Sequence, residues 1–101
     1  MKKILLACNA GMSTSLLVSN MQKYAKEIGE DVMIEAMPIT QAEKSWKDWD
    51  IILLGPQVRH VIGKLKEIVQ GQIPVVVIDM RDYGLMNGKN VLNAALKELS
   101  E

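Results

Sequence analysis

Four short apolar runs, at residues 3–7, 32–37, 51–54 and 75–78, alternate with segments whose apolar residues recur at helical spacing. That alternation leaves few folds open, because the side-chain period switches from two to 3.6 and back along the chain. Leu17, Met21, Tyr24 and Ile28 step by four, three and four and share one helix face, with Gly29 as a stop. Thr40 and Glu43 match a capping box for a short second helix. Val58, Val61, Ile62, Leu65, Ile68 and Val69 form a third stripe, ended by Gly71 and Pro74. Leu92, Ala95, Leu96 and Leu99 form a fourth. The order βαβαβαβα demands a parallel sheet with right-handed crossovers. We expect one three-layer α/β/α domain over residues 1–101, with a four-stranded sheet of order 2-1-3-4. The second run carries Glu35 and suits an edge; the other three are nearly unbroken, as in strands covered on both faces.

In such a sheet ligands sit at the carboxyl ends of the strands, where the winding reverses. Here that point lies between strands one and three. Chain order brings two loops to it, residues 8–15 and 55–57, so the site is located before any motif is consulted.

The first loop reads Cys8, Asn9, Ala10, Gly11, Met12, Ser13, Thr14, Ser15. Cys8 ends a buried strand. Gly11 permits a backbone conformation that other residues resist. Three hydroxyl residues open the first helix, where free N–H groups and the helix dipole favour an anion. This predicts a cradle for phosphate, and the same field favours the thiolate, which is the nucleophilic form of Cys8. Ser13 is also a candidate helix cap. No Lys or Arg lies in the loop, so stabilisation must come from dipoles and hydroxyls.

Composition narrows the partners. Twelve basic and twelve acidic residues cancel, which argues against a general nucleic-acid binder. No apolar stretch approaches the roughly 20 residues of a membrane span, and the run before Cys8 is too short for a secretory signal. One cysteine cannot form an internal disulfide or a cysteine-rich zinc site. A cytoplasmic chain without membrane insertion, metal or cofactor is the expectation.

A cysteine in a strand–loop–helix cradle also describes the small tyrosine phosphatases and arsenate reductases, whose fold this chain is expected to resemble. Their motif looks like Cys-x5-Arg, with arginine clamping the phosphate. Counting from Cys8, that position is Thr14, and Arg59 and Arg81 are remote in sequence. Without the clamp, charge developing on the phosphoryl group loses its strongest stabiliser, and hydrolysis should be slow. That suits a carrier better than a phosphatase, which stays the alternative. A receiver-type signalling module fits less well, since such modules resemble a five-stranded sheet with an acidic pair after strand one.

The segment Lys3-Ile4-Leu5-Leu6-Ala7-Cys8-Asn9-Ala10-Gly11-Met12-Ser13-Thr14-Ser15-Leu16-Leu17 resembles enzyme IIB of the lactose/cellobiose class of the bacterial phosphoenolpyruvate-dependent sugar phosphotransferase system. Val32-Met33-Ile34-Glu35-Ala36, Leu53-Leu54-Gly55-Pro56-Gln57-Val58, Val77-Ile78-Asp79 and Tyr83-Gly84 agree with it. A chain of this length is most similar to the cellobiose or chitobiose subgroup. The resemblance implies that a phosphohistidine on enzyme IIA phosphorylates Cys8. The group then passes to a sugar held by membrane enzyme IIC, at the inner face of the plasma membrane. By position, Asn9, Ala10, Gly11, Met12, Ser13, Thr14 and Ser15 line the phosphate. A monomer with transient interfaces suits such a relay.

Met12, Gln57 and Tyr83 are candidate partner contacts. Methionine adapts to more than one surface. Gln57 lies beside the cysteine loop in this topology. Asp79, Asp82 and Tyr83 follow the fourth strand and are read as loop structure or partner contact rather than catalysis. His60 is excluded from the apolar stripe of its helix and should face solvent. Trp46 and Trp49 are expected to close an edge of the core.

Overall fold

The computed structural model describes residues 1–9 and 14–100. Strand β1 (Lys2–Cys8) leads to helix α1 (Ser15–Ile28), and β2 (Val32–Pro38) runs directly into α2 (Ile39–Ser45). A short 3-10 turn at Trp46–Asp48 precedes β3 (Ile51–Leu54). A second at Pro56–Val61 precedes α3 (Ile62–Val69). Strand β4 (Val75–Val77), α4 (Met80–Gly84) and α5 (Gly88–Ser100) complete the chain.

All pairings are parallel and the order is β2-β1-β3-β4, as expected. Strand β1 lies at the centre. Ile4 and Leu6 point into one core with Leu17, Met21 and Ala25 of α1 and Val91, Leu92 and Ala95 of α5. Leu5 and Ala7 point into the other, with Ala42 of α2, Leu65 and Val69 of α3, and both tryptophans. The period of two in β1 thus separates the two helical layers. Trp46 and Trp49 are each 7% exposed, closing that second core at its edge. Glu35 is exposed on the edge strand β2, where a charge discourages pairing with other chains.

Several local expectations shift. On α1 the buried face runs through Leu17, Met21 and Ala25, while Ile28 in the last turn is exposed. Gly29 ends the helix in the left-handed region at φ 72°. The capping box at Thr40 and Glu43 does not form. Because β2 passes straight into α2, the N-cap is Pro38 and Thr40 is already inside the helix. Glu43 instead meets Lys64 of α3, with Oε2 and Nζ 3.0 Å apart, so this buried carboxylate oxygen is partnered by an ammonium. Val58 leaves helical geometry (φ −118°, ψ 19°) to enter the core, and the third helix therefore begins only at Ile62. Helix α4 has five residues, too few for a periodic signal.

Helix α5 approaches α1 closely at Gly88. A Cβ there would lie 2.5 Å from both the Asn20 carbonyl carbon and the Met21 nitrogen. Asn20 Nδ2 also donates to the Met86 carbonyl at 2.9 Å, holding the turn before α5 against α1. Backbone on both sides leaves no flexible atom to yield. Gly88→Ala should therefore cost about 1–3 kcal/mol of stability, read as a lowered urea midpoint.

Candidate functional site

Cys8 is the last residue of β1, one position beyond Ala7, which is opposite Leu54 at the end of β3. The side chain is 3% exposed. Its neighbour across the sheet is Gly55, whose N–H donates to the Ala7 carbonyl at 3.0 Å. A Cβ on Gly55 would sit 3.5 Å from Cys8 Cβ and 3.0 Å from Gln57 Oε1. The absent side chain thus lets the β3 loop close against the cysteine, with the Gln57 amide folded back over the gap. Cys8 and the Gly55 turn, which chain order assigned to the point of reversal, do meet there.

Thr14 lies on the other side of the sulfur. It is fully buried, and its Oγ1 is 3.7 Å from Cys8 Sγ, with either atom able to donate. Thr14 is the N-cap position of α1, and its carbonyl accepts from Val18 N–H at 2.9 Å. Its hydroxyl makes no capping bond. Asn9 follows Cys8 as an exposed bend, and Ser15 is exposed in the first turn of α1. The expected phosphate-lining residues Ala10, Gly11, Met12 and Ser13, the Met12 partner contact and the Ser13 cap all lie outside the described residues. The thiol, the buried hydroxyl and the start of a 14-residue helix therefore converge, a constellation suited to an acceptor of a small anion.

A groove of about 440 Å³ opens at the same carboxyl end of the sheet. Pro56, Gln57, Arg59 and His60 form one wall, and Met80, Tyr83 and Gly84 of α4 the other. Gln57 and Tyr83, singled out separately in the sequence, thus share a surface. Tyr83 is only 7% exposed and belongs mostly to the core, so little of it is open to the groove. His60 is exposed, as expected. A larger hollow of about 560 Å³ lies by the start of β4, lined by Lys66, Gly71, Pro74 and Glu98. It is at the opposite end of the strands and has no nucleophile.

Asp79 is structural. Its Oδ1 accepts from the backbone N–H groups of Arg81 (2.9 Å) and Asp82 (3.0 Å), capping α4. Asp82 Oδ1 accepts from Asn90 Nδ2 at 3.1 Å and ties α4 to α5. Two features escaped the sequence reading. Gly55 approaches Cys8 closely, which no local pattern signals. Met80 is 63% exposed on the groove rim, and its signal was an apolar residue directly after a strand-end aspartate.

The family model for the lactose/cellobiose-specific IIB subunit of the sugar phosphotransferase system (PTS) matches residues 3–94. An oligo-beta-mannoside-specific EIIB component of Bacillus subtilis is 47% identical over 97 residues, covering 95% of this chain and 94% of the relative. A galactose-specific EIIB component of Lactococcus lactis subsp. cremoris is 46% identical and covers 93% of each chain. A cellobiose-specific EIIB component of Lactococcus lactis subsp. lactis is 45% identical with the same coverage. Among solved structures, the cellobiose-specific IIB component of Borrelia burgdorferi superposes with a TM-score of 0.82 at 41% identity, over 98% of this chain and 92% of that one. The lactose-specific IIB domain of Streptococcus pneumoniae gives 0.86 at 19% identity over 96% of each chain, a likeness of fold.

The capping role of Asp79 is directly measurable. Asp79→Ala should cost about 1 kcal/mol of stability by urea unfolding, while Asp79→Asn, which keeps an acceptor, should lose less than half of that.

Proposed function

Because the chain belongs to the lactose/cellobiose-specific IIB family of the PTS, whose members are phosphotransferases that move phosphate from EIIA to sugar, we propose that Cys8 is the residue that carries the phosphoryl group. The observation that supports this most is the placement of the lone thiol. It stands at the carboxyl end of the central strand, against the start of α1 and the Gly55 turn.

In the first step the Cys8 thiolate attacks phosphorus on a phosphohistidine of EIIA. The Sγ–P bond forms as the N–P bond breaks, and the imidazole nitrogen keeps the electron pair. In the second a sugar hydroxyl held by membrane EIIC attacks the same phosphorus. The S–P bond breaks, its electron pair returns to sulfur, and the hydroxyl proton leaves to a base on the sugar's side. Catalysis of both steps is positioning and charge stabilisation, with N–H groups at the start of the helix and the loop hydroxyls facing the phosphoryl oxygens. Asn9 through Ser15 are the residues we assign to that lining. The groove holding Gln57 and Tyr83 is assigned to partner contact.

The sugar we assign is a β-linked disaccharide of the cellobiose or chitobiose kind. Relatives named for oligo-beta-mannoside and cellobiose favour it, and the galactose-specific relative at similar identity defines the competing outcome. The chain would act in the cytoplasm at the inner membrane face. Among the described residues no helix is long and apolar enough to cross a membrane.

Incubation with phosphorylated EIIA should add the mass of one phosphoryl group to the wild-type chain, and Cys8→Ser should stay unmodified. Phosphorylation of the serine variant to the wild-type extent would sink the assignment.

A further inference from the structure

We propose that the Thr14 hydroxyl is a hydrogen-bond donor to the Cys8 sulfur, tuning the nucleophile itself rather than serving only to line the phosphate. The inference rests on Cys8 being the carrier residue, and it concerns how that sulfur is held.

Among the described residues Thr14 is the one polar side chain in the fully buried set. Burying a hydroxyl is costly unless it is hydrogen-bonded, so every partner of this hydroxyl counts in favour of threonine over valine of the same shape. The sulfur at 3.7 Å is such a partner, within the longer range that sulfur contacts span. The Thr14 backbone is held as the N-cap of α1, with its carbonyl accepting from Val18 N–H at 2.9 Å, which keeps the residue beside the sulfur.

The direction of the contact follows the charge on sulfur. With the thiol protonated, either atom can donate. The thiolate is only an acceptor, so the hydroxyl must then donate to it. Once sulfur is bonded to phosphorus it is a poor acceptor, and rotation about χ1 can turn the same O–H toward a phosphoryl oxygen. When the S–P bond breaks, the hydroxyl again meets the returning negative charge. One neutral donor thereby follows the charge through loading and unloading, at the position where the phosphatase motif places a permanent cation.

The test compares Thr14→Val, which keeps shape and removes the donor, with Thr14→Ser, which keeps the donor. Alkylation of Cys8 by iodoacetamide at neutral pH reads the sulfur without any phosphoryl partner. The valine variant should react about tenfold more slowly, the loss expected for a hydrogen bond to a charged group. The serine variant should stay within about threefold of wild type, and the thiolate's ultraviolet absorbance should change in parallel. In single-turnover transfer from phosphorylated EIIA, Thr14→Val should lower the rate with little change in the half-saturating donor concentration. If Thr14→Val and Thr14→Ser alkylate at the wild-type rate, the proposal is overturned. Should the valine variant fail to fold, Thr14→Ala against Thr14→Ser carries the same comparison, and equal rates overturn it. Failure of Cys8→Ser to abolish phosphorylation would remove the carrier reading alone, since alkylation is measured independently.

Discussion

Strand β1 is buried on both faces, and the position of everything chemical depends on it. Ile4, Leu5, Leu6 and Ala7 are fully buried, and they alternate between two separate cores. Shifting the strand by one residue would exchange its side chains between the layers. Fully burying side chains the size of Ile4, Leu5 and Leu6 stabilises by about 1.5–3 kcal/mol each, far more than the exposed Lys2–Glu30 contact at 3.6 Å could offer. Cys8 therefore stands at the end of a strand whose register the core fixes. Helix α1 is located independently, through Leu17, Met21 and Ala25 below it and the Gly88 approach beside it. Cys8 and Thr14 thus each stand at the end of a packed element.

Much of this arrangement was legible in the sequence because it is written in periodicity. The unbroken strands, the edge placement marked by Glu35 and the strand order all follow from apolar spacing and from the scarcity of alternatives for a βα repeat. What was not legible depends on meetings between distant residues. The Thr40–Glu43 pair is a sound local cap pattern, yet β2 leaves no loop for it and Lys64 supplies a partner from another helix. Val58 belongs to a helical stripe by spacing, but core burial wins over helical geometry. At the site, topology alone brought the 55–57 loop to Cys8. The contact made by Gly55 was beyond reach, because a glycine's role here is defined by what its missing side chain would strike. The resemblance places Thr14 among the residues lining the phosphate; its complete burial against sulfur appears only in three dimensions.

The difference between a threonine and an arginine at this position bears on direction of flow. A guanidinium clamps phosphate through two charge-assisted bonds, each roughly twice as strong as a neutral one. Such a clamp stabilises a phosphoenzyme and also the transition state for attack by water. A carrier has the opposite requirement. Its phosphoryl group must outlast the passage between two partners and still leave readily. A hydroxyl offers one hydrogen bond to a charged sulfur or phosphoryl oxygen, about 1.5–3 kcal/mol, where a guanidinium offers two and a full positive charge. The groove between the Pro56–Val61 turn and α4 has the Arg59 guanidinium in its wall, a positive charge of a kind that residues 8–15 lack.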